Sequence, residues 1–280
     1  MKLDEIKRKS SDDRQRTFAE IHGENLEGER YADGINVSRS GMTSLEGCPT
    51  YVRKFFTCTN NRLTSLKHGP RRVGEAFNVS ENPLETLEGA PDFVNGDFIL
   101  YKCNALRSLD GIPPEAEYVC LSVEDCPSLK SLGVLPAHLE NLIIIKCPIE
   151  RLGDAFSRIE TMRNIRLIDT NMTSISDDFP KFCNFVRIVA DIPSLHDIHR
   201  HFKYVKCFNL ETNTKESILG LALIEGLGDD SHFSFDVDGP DGRSRLIRKI
   251  VLDYVGKGKQ VLMSFQNELL DNGFEEFAKL

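Results

Sequence analysis

A phrase of eight residues recurs along this chain at nearly constant spacing, and a fixed period of that length selects stacked architectures over closed globules. It reads MTSLEGCP at 42–49, LTSLKHGP at 63–70, LETLEGAP at 84–91, LRSLDGIP at 106–113 and LKSLGVLP at 129–136. Weaker copies stand at 149–156 (IERLGDAF), 172–179 (MTSISDDF) and 192–199 (IPSLHDIH), and the steps between copies run from 20 to 23 residues. Ahead of each phrase lies a short alternating segment: INVS at 35, FTCT at 56, FNVS at 77, FILY at 98, LSVE at 121, LIII at 142 and IRLI at 165. Aligned, the unit reads V-x-x-x-F-x-V-x-x-N-x-L-x-S-L-x-G-x-P. Two apolar residues two apart, Phe77 and Val79 for example, leave a strand on the same side. The next turn bends the chain away, the Leu pair returns inside, and Gly-x-Pro breaks regular structure. No single copy can bury its apolar side, so the copies must stack and their strands must join one parallel sheet.

The fifth position after a strand start is expected to point inward beneath the turn. There the chain offers Asn61, Asn82, Cys103, Cys126 and Cys147, with Asn171 taken for the next copy. A buried Asn amide can bond peptide groups that the turn leaves unpaired, coil after coil. Cys fits the same dry slot as a small apolar residue with a weak donor. The cysteines are therefore read as structural and reduced. Eight in a chain of 280, with no CxxC pair, are also too sparse for a disulfide framework.

The pattern L-x-L-x-x-N/C-x-L resembles the leucine-rich-repeat family over about residues 35–210. The short unit and the G-x-P punctuation resemble the compact bacterial type, as in secreted effector proteins. The L-x-S-L-E-G-x-P wording is more similar still to repeat proteins encoded by large tailed bacteriophages, and the closing FQNELLDNGFEEFAKL is similar to their endings. The resemblance implies a right-handed α/β solenoid of eight to nine repeats with its parallel sheet on the concave face. Repeats six to eight drift from the pattern. Gly-x-Pro is lost after Pro136, and Arg187 falls on a position expected to be apolar.

A solenoid has open ends that need covering. Residues 1–34, densely charged at first, are read as a partly flexible N-terminal cap. Residues 211–280 are read as a small helical C-terminal cap after a last strand at 204–210. Thr214 can N-cap a helix reaching Ile224, and 226–242 reads as an Asp- and Gly-rich loop. Leu246, Ile247, Ile250, Val251 and Tyr254 make one helical face. Val261, Leu262, Phe265 and Leu269 make another, stopped at Asn272-Gly273. No stretch approaches the roughly 20 apolar residues that span a bilayer, and the start lacks a signal-peptide core. A cytoplasmic, membrane-free protein is expected. The net charge of −8, with both signs interspersed, argues against nucleic acid as partner.

Strand residues facing away from the core are the usual working surface of such a stack. In the first three repeats they are small and polar: Asn36, Ser38, Thr57, Thr59, Asn78 and Ser80. Further on they become Ile99, Tyr101, Glu124, Ile143, Ile145, Arg166 and Ile168. These seven are expected to form a continuous apolar surface edged by Glu124, Arg166, Lys102 and Lys146, suited to a protein partner. Self-association, or cover by the C-terminal segment, would use the same face.

Chemical motifs are weak beside the repeat. HDIHRH at 196–201 places histidines near Asp197, but on the variable arc of a degenerate copy and with no fourth ligand; it reads as solvated. DVDGPDG at 236–242 departs from a calcium loop, with Pro240 and Ile247 where oxygen ligands are required. No P-loop, G-x-S-x-G or G-x-G-x-x-G occurs. A ubiquitin ligase of the bacterial-effector kind needs a later nucleophilic cysteine than Cys207. The expectation is a non-catalytic interaction module without cofactor or metal. The phage resemblance implies that it engages a host or virion protein. The alternatives are a structural or assembly part of a virion, and a hydrolase using Asp236, Asp238 and His232.

Overall fold

The computed structural model describes residues 16–190, 192, 197–212, 214, 216–227, 230–235, 237 and 242–279. Its strands join one 13-stranded sheet in which neighbouring strands run parallel. Partner residues on the inward row stand 21 to 23 apart, from Ile35, Phe56, Phe77 and Phe98 to Leu121, Leu142, Ile165, Val186 and Phe208. This is a parallel β-solenoid of about nine turns.

The first three turns carry two short strands each: β1 (Arg30–Tyr31) with β2 (Ile35–Asn36), β3 (Tyr51–Val52) with β4 (Phe56–Thr57), and β5 (Arg72–Val73) with β6 (Phe77–Asn78). One long strand takes both roles in β7 (Phe93–Tyr101), β8 (Glu117–Glu124), β9 (His138–Ile145), β10 (Thr161–Ile168), β11 (Phe182–Val189) and β12 (Tyr204–Thr212). The spacing of inward residues explains the change. Buried Val52 and Phe56 are four apart, as are Val73 and Phe77, whereas Tyr118 and Leu121 in β8 are three apart. From β8 onward, one residue fewer between inward positions lets the backbone run through as a single strand. β7 keeps the longer step from Val94 to Phe98 and meets β8 through a register shift between Val94 and Asp97.

Pairing also places Arg187. Val186 lies beside Ile165 and Arg187 beside Arg166, so Val186 and Ile188 fill the core. Arg187 projects outward, where its Nη2 lies 3.2 Å from Glu211 Oε1. The expected apolar position is met by its neighbours.

Inside, rings stack from turn to turn. Phe18, Phe56, Phe77, Phe98 and Tyr118 form one column with centroids 5.1 to 6.1 Å apart. Phe156, Phe179, Phe202, Phe208 and Phe233 form another. Such pairs add roughly 0.5–1.5 kcal/mol beyond burial. The first column begins on α1 (Phe18–His22), which is held by a capping box between Thr17 and Glu20. Residues 1–15 lie outside the described part of the chain.

The other end departs from the sequence reading in two ways. The helix expected from Thr214 is only a 3-10 turn, Leu219–Leu223. Ile218, Leu219, Leu221, Ala222 and Ile224 are all buried, so the segment has no polar face, and Gly220 sits in its middle. The expected loop contains a strand, β13 (His232–Phe235), which pairs with β12 from Asn209 to Thr212 and extends the sheet. After α2 (Ile198–His201) in the last arc come α3 (Arg243–Tyr254), packed on β13, and α4 (Leu262–Asp271), packed on α3. Ile247, Ile250 and Val251 are buried on α3, and Phe265 and Leu269 on α4. Gly273, with φ 73°, allows the chain to turn back after α4. Among the described residues no helix is long and apolar enough to cross a membrane.

Candidate functional site

Two sets of residues were singled out by the sequence, one inside the turns and one outside. Inside, Asn61 Oδ1 accepts from the Ser40 and Met42 amides at 3.0 Å. Its Nδ2 donates to the carbonyls of Val37 and Cys58 at 2.9 and 3.0 Å. Asn82 accepts from the Leu63 amide at 3.1 Å and donates to Cys58, Val79 and Ser80 carbonyls. Cys103, Cys126 and Cys147 continue the column, each buried with its thiol facing two carbonyls at 3.4 to 3.9 Å. The residue before each slot is left-handed: Asn60, Glu81, Lys102, Asp125, Lys146 and Asp169 have φ between 52 and 56°. That conformation costs roughly 1–2 kcal/mol in an L-residue, so the slot bonds hold an otherwise strained turn.

The same series corrects Asn171. The residue after left-handed Asp169 is Thr170, the fifth position after Ile165; Thr170 is buried and Asn171 is exposed. Thr170 cannot reach as an amide does, and its Oγ1 is buried without a hydrogen-bond partner among the described residues.

Outside, parallel register aligns the seven surface residues, together with Ser122, in two adjacent rows. Ile99, Ser122, Ile143 and Arg166 form one; Tyr101, Glu124, Ile145 and Ile168 form the other. Four strands at about 4.8 Å make the patch some 14 Å wide. The isoleucines and Tyr101 are half-buried and Arg166 is exposed. Lys102 and Lys146 stand at the turn that ends the rows, with Lys102 Nζ 5.0 Å from the centre of the Tyr101 ring. Glu124 is not at the rim. It lies between Tyr101 and Ile145, and with Ser122 it divides the apolar surface into a smaller part on β7 and a larger one on β9 and β10.

The larger part extends further than the sequence suggested. Val189 continues the second row, and Phe185, beside Asn164, brings its ring to 5.4 Å from the Arg166 guanidinium. These were missed because Arg187 obscured the register of β11. Between the apolar rows and the start of the strands, Asn164 donates to Asn141 Oδ1 and Asn141 donates to the Val119 carbonyl. The small polar residues of the first turns are used within the sheet. Thr59 Oγ1 donates to Ser38 Oγ at 3.0 Å, and buried Ser80 accepts from the Tyr101 amide at 3.1 Å.

The described residues hold no group of three or more His, Cys, Asp or Glu placed for a metal ion. All eight cysteines are free. Burial raises the thiol pKa of Cys48, Cys58, Cys120, Cys183 and Cys207, reaching about 12 at Cys120 and Cys183. At Cys126, raised to about 12, the neighbouring Cys103 thiol is the first cause; at Cys147 it is Cys126. Shifts in that direction suppress the thiolate. His232 Nδ1 accepts from Arg248 Nη2 at 2.7 Å, while Asp236 and Asp238 lie outside the described residues, as does His196.

His201 is not the solvated residue expected of its arc. Its side chain is 16% exposed, and Nδ1 stands 3.0 Å from the Ser176 carbonyl. Burial lowers its pKa below 6.5 despite that bond and Asp177 nearby. Its contribution is therefore complete above 6.5 and falls away as pH drops through the lowered folded value. His201→Gln should flatten the fall of stability as pH drops below about 6.5, measured as urea midpoints; an unchanged slope would refute the assignment.

No family model matches the chain, and comparisons with curated proteins and with solved structures gave no match.

Proposed function

We propose that this chain is a right-handed leucine-rich-repeat protein of the short bacterial type whose outward sheet face is concave and binds a protein partner without catalysis. The observation that carries this reading is the pair of aligned rows holding Ile143, Ile145 and Ile168 half-exposed beside Arg166, with Tyr101 set off from them by Glu124. Contiguous apolar area with charge at its margin suits protein recognition, and Tyr and Arg commonly anchor it. The helices α3 and α4 pack at the β13 end of the stack and leave those rows open. Right-handed connection follows from strand twist in parallel sheets. The Asn-to-Cys column and the G-x-P turns favour the leucine-rich type. A phage-encoded protein acting on a host or virion protein in the bacterial cytoplasm, with no cofactor, accords with its wording.

The test is affinity capture with a double variant, Ile143→Asp with Ile145→Asp. Both side chains point out of the sheet, so the fold should persist, as checked by circular dichroism. Loss of a central apolar pair should weaken capture of a stoichiometric partner more than about 10-fold, roughly the effect of 1.4 kcal/mol. Undiminished capture rejects the face. If instead the variant only converts a dimer to a monomer in sedimentation, the partner is a second copy of the chain.

A further inference from the structure

At the opposite end of the sheet from β13, the surface has a different chemistry. An open trough of about 770 Å³ crosses the starts of the first four turns, lined by Arg30, Arg53, Arg71 and Arg72 with Asp92 as its one acid. Such a concentration is unexpected in a chain of net charge −8. The pairing register puts Arg30, Tyr51, Arg72 and Phe93 in a single row. Within it the Arg30 guanidinium lies 4.7 Å from the Tyr51 ring centre, and that of Arg72 lies 4.3 Å from Phe93. Asp92 already holds Arg71, with two contacts at 2.7 Å, and Asp33 holds Lys54 at 2.7 Å. Arg30, Arg53 and Arg72 form no ion pair with any described residue, and all three are exposed.

We infer that this trough binds an acidic peptide segment of a partner protein, its Asp or Glu carboxylates on Arg30, Arg53 and Arg72. A guanidinium stacked on a ring has a fixed plane and free N–H edges, ready for two-point binding of a carboxylate with less ordering cost. Arg30 and Arg72 stand two turns apart, about 10 Å, a span between those of same-face carboxylates two and four residues apart on an extended chain, about 7 and 13 Å, and within reach of flexible glutamate side chains. Phosphate is the other anion that fits a guanidinium fork. A single phosphate calls for converging donors in an enclosed site, and this trough is open. Single-stranded nucleic acid needs bare ring faces for stacking, and Tyr51 and Phe93 already carry arginines. The site is independent of the isoleucine rows on β9 and β10.

Fluorescence anisotropy on the full chain tests this with three probes of equal length. These are a labelled decapeptide alternating Glu and Ser, its Gln-for-Glu counterpart, and oligothymidylate. The acidic peptide should bind, weaken as salt rises, and lose at least about 10-fold in affinity in the double variant Arg30→Gln with Arg72→Gln, as expected for two charge-assisted contacts. Arg53→Gln should lose less, and Arg163→Gln on β10 nothing. The Ile143→Asp, Ile145→Asp variant should bind the peptide normally, which separates this site from the apolar face. Failure of the acidic peptide to bind, equal binding of the Gln peptide, or indifference to the arginine variants each overturns the proposal. Tighter, arginine-dependent binding of oligothymidylate overturns it in favour of nucleic acid.

Discussion

Phe77→Ala should cost about 3–5 kcal/mol and change the shape of unfolding as well as its midpoint. Phe77 is fully buried, with its ring 5.7 Å from Phe56 on one side and 5.1 Å from Phe98 on the other. Truncation therefore opens a void at two interfaces at once. In a closed globule that loss would be spread through one cooperative core. In a stack each turn touches only its neighbours, so stability is a sum of turn and interface terms. Weakening the interfaces on both sides of the third turn uncouples those before it from those after. Urea unfolding followed by circular dichroism should show a lower midpoint and a reduced m value or two steps, since the first three turns then unfold separately. Leu252→Ala, at an exposed site on α3, should shift the midpoint by under about 0.5 kcal/mol with m unchanged. A single transition of unchanged slope for Phe77→Ala, displaced by less than about 1 kcal/mol, would mean that the rings do not couple the turns.

What could be read from the residues follows from how locally each feature is determined. The stacking period was legible because every turn repeats the same inward set, and Phe56, Phe77 and Phe98 are its plainest marks. The two-residue strands Tyr51–Val52 and Arg72–Val73 were not, although Val52 and Val73 stood in the aligned unit. Two residues have no visible alternation, and only pairing with the next turn makes them strands. Asn171 shows the opposite failure. Its amide suits the slot better than the Thr170 hydroxyl, so residue type points one position away from the count, which in a turn decides between core and water. β13 was hidden inside an Asp- and Gly-rich stretch because four residues gain strand identity only from β12. Of the surface, the isoleucine rows were legible from alternation alone. The arginine trough was not, because Arg30, Arg53 and Arg72 are about 21 residues apart and become neighbours only when the turns stack.

Asn82→Ala should destabilise by about 3 kcal/mol or more, a large effect for the loss of one amide. The side chain is 1% exposed and engages one amide and three carbonyls on two adjacent turns. Alanine leaves the Leu63 amide without its acceptor and the Val79 carbonyl with only the weak Cys103 thiol, while the Cys58 carbonyl keeps its bond from Asn61. Each stranded buried group costs roughly 1–3 kcal/mol. The preceding residue adds to the loss, since Glu81 is held at φ 56° and keeps its strain when the bonds that offset it are gone. Asn82→Cys should recover about half of the cost. A thiol fills the slot and faces two carbonyls, as Cys103 does one turn later, but it offers the Leu63 amide only a weak acceptor. Asn171→Ala is the control of identical chemistry at an exposed position and should cost under about 0.5 kcal/mol. Urea midpoints for the three variants give the ordering directly. If Asn82→Ala and Asn171→Ala cost the same, the amide column is not what closes the turns, and the left-handed residues ahead of each slot must be held by packing alone.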